Sequence, residues 1–217
     1  MIKMIKKTLQ IPTGKSETIT LEEDKMSLKI SVMAGASLII YDIQTEEKDT
    51  SREVEITLEG ENSEAKVYGL YILKGRAKAA SKIQIKHLKK NCKSSQIYRA
   101  ILDDNSQGNF EGNIYVAKEA AGTEATQETK TLLLSEGAKV KALPKLEIFA
   151  EDVICRHGVT SGQIDEDTLF YMRSRGISEH KAKELLTLSF LSEVLDKIHL
   201  PDTKLKEFKK DCLHIYS

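Results

Sequence analysis

Cysteine is scarce in this chain, with three in 217 residues, at positions 92, 155 and 212. An odd number so widely spaced excludes a disulfide framework and fits thiols kept reduced in a cytoplasmic setting. A net charge of one sign is also missing. Lysine plus arginine total 33 and aspartate plus glutamate total 33, so no positive field exists to draw nucleic acid or an anionic membrane surface. No apolar run approaches the about 18 residues that a membrane-spanning helix needs. The start MIKMIKKTLQIP lacks the apolar centre of a signal peptide. Neither nucleic acid nor a membrane is an expected partner, and the chain is expected to be cytoplasmic.

Hairpin turns are lacking too. No Asn-Gly or Asp-Gly joins two apolar segments, which removes the strongest short-range signal for an antiparallel meander. There is no G-x-x-x-x-G-K-[ST] phosphate loop, no C-x-x-C, and no acidic pair at convincing strand spacing. A β-helix hydrolase or lyase is therefore an alternative that the residues do little to support.

What is present from Ser27 to about Ala150 is a succession of short alternating segments: LKISV, SLIIYDI, VEITL, KVYGLYIL, KIQIKHL, NIYVA, TLLL and KLEIFA. Period-two alternation predicts strands, here of three to seven residues. Gly35, Gly60, Gly75, Gly108, Gly112, Gly122 and Gly137 are expected between them as corner residues. NIYVA and TLLL begin about 18 residues apart and KLEIFA comes after about 14 more, which reads as one coil of a β-solenoid per strand. The expectation is an all-β body succeeded by a small helical part.

The pattern changes at Gly162. Asp165 is an N-cap candidate, Glu166 and Asp167 favour the start of a helix, and Gly176 suits its end. Ser178 caps a second helix whose Ala182, Leu185, Leu186, Phe190, Val194, Leu195 and Ile198 form a wide apolar stripe before Pro201. That stripe either covers the β body or binds a partner. A third segment carries Leu205, Phe208 and Cys212, the last read as apolar packing. His180, His199 and His214 have no partner spacing and read as surface residues.

Within EDVICRHGVTSGQIDED, Cys155 and His157 are one residue apart. On a strand, residues two apart share a face at about 6–7 Å. A thiolate and a neutral imidazole are donors for zinc or for the iron of a cluster, but such sites want about four ligands. Either the pair is packing, which is the commoner fate of a buried cysteine, or another chain brings the missing donors. Cys92 lies among Lys89, Lys90 and Lys93, whose charge would favour its thiolate; the other reading is a solvated corner.

The stretch from Pro144 to Ile177, PKLEIFAEDVICRHGVTSGQIDEDTLFYMRSRGI, resembles the C-terminal motif of the SufB/SufD family of SUF iron–sulfur cluster assembly scaffolds. His87, Cys92, Ser94 and Gln96 resemble its H-x-x-x-x-C-x-S-x-Q, and GNFEGNIYV and TLLLS resemble two further stretches. The likeness runs from about Val67 to Ile198, and the Cys-x-His-Gly form is nearer to SufD than to SufB. Val159 and Ser161 depart from the family's alanine and valine. The chain reads as a short form without the family's N-terminal region.

The resemblance implies a right-handed parallel β-helix over residues 1–163 and a helical domain over 164–217 that docks the ATPase SufC. It implies pairing with SufB, or with a second copy, near the C-terminal end of the β-helix. His157, with Cys155 and more remotely Cys92, would help to hold a transient iron–sulfur cluster shared with that partner. Phe170, Arg173, Arg175, Leu185, Leu186 and Phe190 are the candidate residues for the SufC contact. FADH2 in the assembled complex is a further implied ligand, and a purely structural docking subunit is the non-metal alternative.

Overall fold

A computed structural model of the chain describes residues 4–45 and 48–199. The elements are β1 (Ile5–Ile11), β2 (Ser16–Leu21), β3 (Lys25–Val32), β4 (Ser37–Gln44), β5 (Thr50–Leu58) and β6 (Glu64–Leu73). Beyond these lie β7 (Lys78–His87), β8 (Lys93–Leu102), β9 (Gln107–Val116), β10 (Glu124–Leu133), β11 (Lys139–Ile148), β12 (Ile154–Gly162), α1 (Glu166–Ser174) and α2 (Glu179–Leu195). The odd-numbered strands form one six-stranded sheet and the even-numbered strands another. All ladder pairs are parallel, each strand beside the one two places on. The fold is a parallel β-solenoid succeeded by two helices.

Two expectations change in detail. Strands β6 to β11 are each ten residues long, longer than the apolar segments suggested, because the polar residues that flank each segment also join the ladder. One coil takes two strands, one from each sheet. Ala65, Ser94, Ala125 and Cys155 therefore stack in register at intervals of about thirty residues, twice the expected period.

Alternation along each strand sends one set of side chains between the sheets. Leu28, Ile30, Leu38, Ile40, Val54, Ile56, Val67, Tyr71, Ile83, Ile85 and Leu102 fill that space as one cluster. Burying each such side chain contributes about 1.5–3 kcal/mol. At one corner a residue with positive φ recurs coil after coil: Gly14, Gly35, Asn62, Asn91, Gly122 and Asp152. Gly122 takes φ +73°, which favours glycine, and a Cβ there would lie 2.3 Å from Asn91 Oδ1 and push that side chain aside.

The helices form where their caps allow. The Asp165 side chain accepts from the Thr168 N–H and starts α1; Gly176 ends it at φ +84°. Ser178 accepts from the Lys181 N–H and starts α2. The apolar stripe of α2 covers the body: Leu191, Val194, Leu195 and Ile198 pack on Tyr41, Tyr68, Leu70, Ile72, Ile101 and Leu132 of the even-numbered sheet. Arg99, buried beneath α2, bonds Glu128 of β10 and Glu193 of the helix. Pro201, Leu205, Phe208, Cys212 and His214 lie outside the described residues.

Candidate functional site

The solenoid stops with its interior uncovered. β11 and β12 are the edge strands at this end of the two sheets, as the largely exposed β1 and β2 are at the other, and no described residue continues the ladder beyond them. The face that β10 buries is exposed on β12 along most of its length. Ile148, Phe149, Ile154 and Val159 are large apolar side chains left exposed around this end, Phe149 by 60 %. Pro144 sits in β11, a residue that ladders tolerate at an edge.

Cys155 and His157 stand on β12 at this open end. Cys155 pairs in register with Ala125 and packs against the cluster of Ile114, Val116, Ala120 and Ala125. His157 pairs in register with Gln127 and is exposed. Both point toward the interior column, two residues apart on one face. Burial pushes the Cys155 thiol above its ordinary value, an effect that a backbone hydrogen bond from Ala125 partly offsets. Coordination would still deprotonate it, because a bound metal inverts the local charge balance.

A thiol and an imidazole fit the donor set of an iron–sulfur cluster, yet they are two donors. Among the described residues no group of three or more His, Cys, Asp or Glu side chains could hold a metal ion. Cys92 does not join them. It is 0 % exposed, fills the corner between β7 and β8, and bonds Ser63 Oγ at 3.3 Å and the Gly60 carbonyl at 3.2 Å. Its lysine neighbours are at the surface while the thiol itself points inward, so the corner is not solvated at the sulfur.

The candidate docking residues divide. Phe170 is 71 % exposed on α1, beside the exposed Tyr171, and Leu185 is exposed on α2. Leu186 is half-buried, and Phe190 is half-buried against the cluster that seats α2 on the sheet. Arg173 pairs with Glu179 at 3.3 Å, and the Arg175 guanidinium lies 5.2 Å from the centroid of the Tyr171 ring. His180 pairs with Glu184, and the His199 backbone bonds the Tyr41 hydroxyl at 3.2 Å.

A polar interior is invisible in the sequence pattern. Asp42 is fully buried and accepts from Arg52 at 2.6 Å, Tyr71 at 2.6 Å, Ser81 at 2.8 Å and Tyr98 at 3.0 Å. Burial, then the Asp42 charge, raises both phenols well above their ordinary value. Burial works against the Arg52 charge, but Asp42 and its two tyrosines more than offset it, and its pKa rises. Farther along, Gln96 and Gln127 stack in the column that ends at His157. The residues lining the small cavity around them include Ser81, Tyr98, Phe110, Gly112 and Thr129.

A groove of about 530 Å³ on the odd-numbered sheet is lined by Lys25, Lys78, Lys139 and Lys141 with Asp49 as its one acid. It lacks the paired carboxylates on which glycoside hydrolysis rests. No described helix is long and apolar enough to cross a membrane.

Residues 22–190 match the family model for the SufBD core domain of SUF system FeS cluster assembly. The chain is 30 % identical over 180 residues to the iron–sulfur cluster assembly protein SufD of Escherichia coli, covering 83 % of this chain and 40 % of that one. It is 32 % identical over 163 residues to a SufBD family protein of Synechocystis, covering 74 % and 36 %. With the chloroplastic protein ABCI7 of Arabidopsis thaliana it shares 42 % over 105 residues, 48 % of this chain and 22 % of the relative. The chain thus spans about two fifths of the length of the first of these relatives. These likenesses concern iron–sulfur cluster assembly and lend no support to the FADH2 that the resemblance implied.

Proposed function

The chain belongs to the SufB/SufD family of the SUF iron–sulfur cluster assembly system, and from that membership we propose that it is a SufD-like, non-catalytic scaffold subunit. Its open end, with Cys155 and His157, forms half of a coordination site. A second subunit, SufB-like or another copy, supplies the remaining ligands and covers the exposed edge strands. The exposed side of α1 and the start of α2, with Phe170, Arg173, Arg175 and Leu185, dock a SufC-like ATPase, and Leu186 lies beside that surface. Phe190 holds α2 on the solenoid and acts on docking only through that packing. Cys92 serves as a packed corner residue.

The observation that carries this reading is that the Cys155–His157 pair faces the interior of a coil that no described residue covers. Exposed ladder edges invite pairing with another chain, and of the two uncovered ends this is the one that carries a thiol and an imidazole among the described residues. A donor pair at an uncapped end is suited to a cluster that forms between subunits and then leaves. The iron and sulfide are substrate, and the protein contributes donors, orientation and a dry wall of Ile114, Val116 and Leu146.

The test is reconstitution with ferrous iron and sulfide in the presence of a SufB-like subunit and a SufC-like ATPase. His157→Ala is expected to cut cluster yield at least about tenfold with the complex still assembled, the scale on which ligand-sphere changes act. Unchanged yield refutes the ligand role. Complexes that stay colourless with every partner point instead to a purely structural docking subunit, a reading favoured by the packing of Cys155 on apolar neighbours.

A further inference from the structure

Gln127 is the last enclosed residue of the column that ends at His157. It is 4 % exposed, and its Oε1 has no hydrogen-bond partner among the described residues. A buried carbonyl left so costs about 1–3 kcal/mol; it is one of several such atoms among the described residues, Gln96 Nε2 on the neighbouring rung being another. The amide nitrogen of Gln127 is accounted for by shape. It lies over Gly112, where a Cβ would come within 1.6 Å of Nε2 and 2.8 Å of Gln96 Oε1. Glycine at 112 is thus what lets the two glutamines share the interior.

On the other side of Gln127 stands His157, its register partner on the adjacent strand, with the backbones about 4.8 Å apart. Both side chains face the interior column, and the His157 ring has no hydrogen-bond partner among the described residues. An orphan acceptor and an unanchored imidazole therefore occupy neighbouring rungs. A histidine that binds a metal commonly donates its other N–H to a carbonyl or carboxylate, which fixes the tautomer and aims the ring.

We propose that Gln127 is the positioning residue for His157: its Oε1 accepts the Nδ1–H of the imidazole and leaves Nε2 bare as the donor atom. The two nitrogens lie on opposite sides of the axis from Cγ through the ring. Turning Nδ1 toward Gln127 therefore carries Nε2 to the side of the open end, where an iron ion would arrive. The inference rests on the proposed ligand role of His157 for its purpose, and on the orphan oxygen and the register for its geometry.

The test needs no cluster. The full chain, labelled with ¹⁵N in its histidines, is observed by long-range ¹H–¹⁵N NMR at pH 8, with the His157 signals identified by their loss in His157→Gln. The expected spectrum shows one tautomer, Nδ1 protonated and Nε2 bare. Gln127→Met, close in volume but without an acceptor, is expected to lose that single tautomer while circular dichroism and the thermal midpoint stay near those of the parent. A parent spectrum with Nε2 protonated, or with averaged shifts, overturns the proposal, and so does a folded Gln127→Met variant with an unchanged His157 spectrum. Should that variant fail to fold, the parent tautomer decides alone. A chain with the expected tautomer whose His157→Ala variant assembles clusters normally would overturn the ligand role and leave the positioning intact.

Discussion

His87 and His157 are both strand histidines, and their surroundings give them opposite chemistry. His87 is wholly enclosed with Ser94 Oγ at 2.8 Å from Nε2, and burial lowers its pKa to about 4. The folded chain therefore holds it neutral, while the unfolded chain takes up a proton near the free value of 6.5. Its share of stability is intact above about pH 6.5 and is lost as the pH falls toward 4, amounting to about 2–3 kcal/mol by pH 4.5. Urea unfolding of the parent and of His87→Gln at pH 7 and pH 4.5 checks this. The variant should lose less stability over that interval, and equal losses would contradict the assignment.

Asp42 invites a second test. Removing it as Asp42→Ala leaves the Arg52 charge, 3 % exposed, without its carboxylate, at a cost of about 3–5 kcal/mol. Replacing both partners by apolar residues, Asp42→Leu with Arg52→Met, should recover most of that loss in the same urea titration. The contrast explains what was legible at this scale. Cys155 and His157 were visible because their chemistry is local, two positions on one strand. Asp42 was not, because its partners are 10, 29, 39 and 56 residues away, and its place in SLIIYDIQ shows only an acid at an inward position.

Strands, corners and helices were legible to different degrees. Alternation revealed the strands and their inward faces, and the caps at Asp165, Gly176 and Ser178 were readable because capping is a contact within three residues. The coil length was not, since nothing in a strand's own sequence says which of two sheets it joins. The corners were half visible: glycines announced themselves, but Asn62, Asn91 and Asp152 adopt the same left-handed backbone. Asn91→Gly should leave stability nearly unchanged, whereas Asn91→Val should cost about 1–3 kcal/mol, measured by thermal unfolding. For α2, Leu191→Ala removes a fully buried anchor and should cost about 2–5 kcal/mol locally. Hydrogen exchange should quicken along α2 with little change in β5, β7 and β9 of the other sheet. Uniform acceleration through the solenoid would contradict a helix docked on a separately stable body.

The described part of the molecule is a stack of coils whose cross-section is sealed along its length and open at both ends, where β1 and β2 begin it and where β11 and β12 end it. Sequence motifs could point to Cys155 and His157 but not to that openness, because a coil is covered or bare according to its neighbours in space. The pair gains its meaning from position: on a coil in the middle of the stack it would be enclosed, as Ser94 and Gln96 are. In the proposed function this end is one side of a cluster-forming junction. The most direct measurement is pulsed electron paramagnetic resonance on the cluster formed in the assembled complex, with ¹⁵N-labelled histidine confined to this chain. The account predicts a hyperfine coupling from one histidine nitrogen that disappears in His157→Ala; a cluster that forms with no nitrogen coupling from this chain would contradict it.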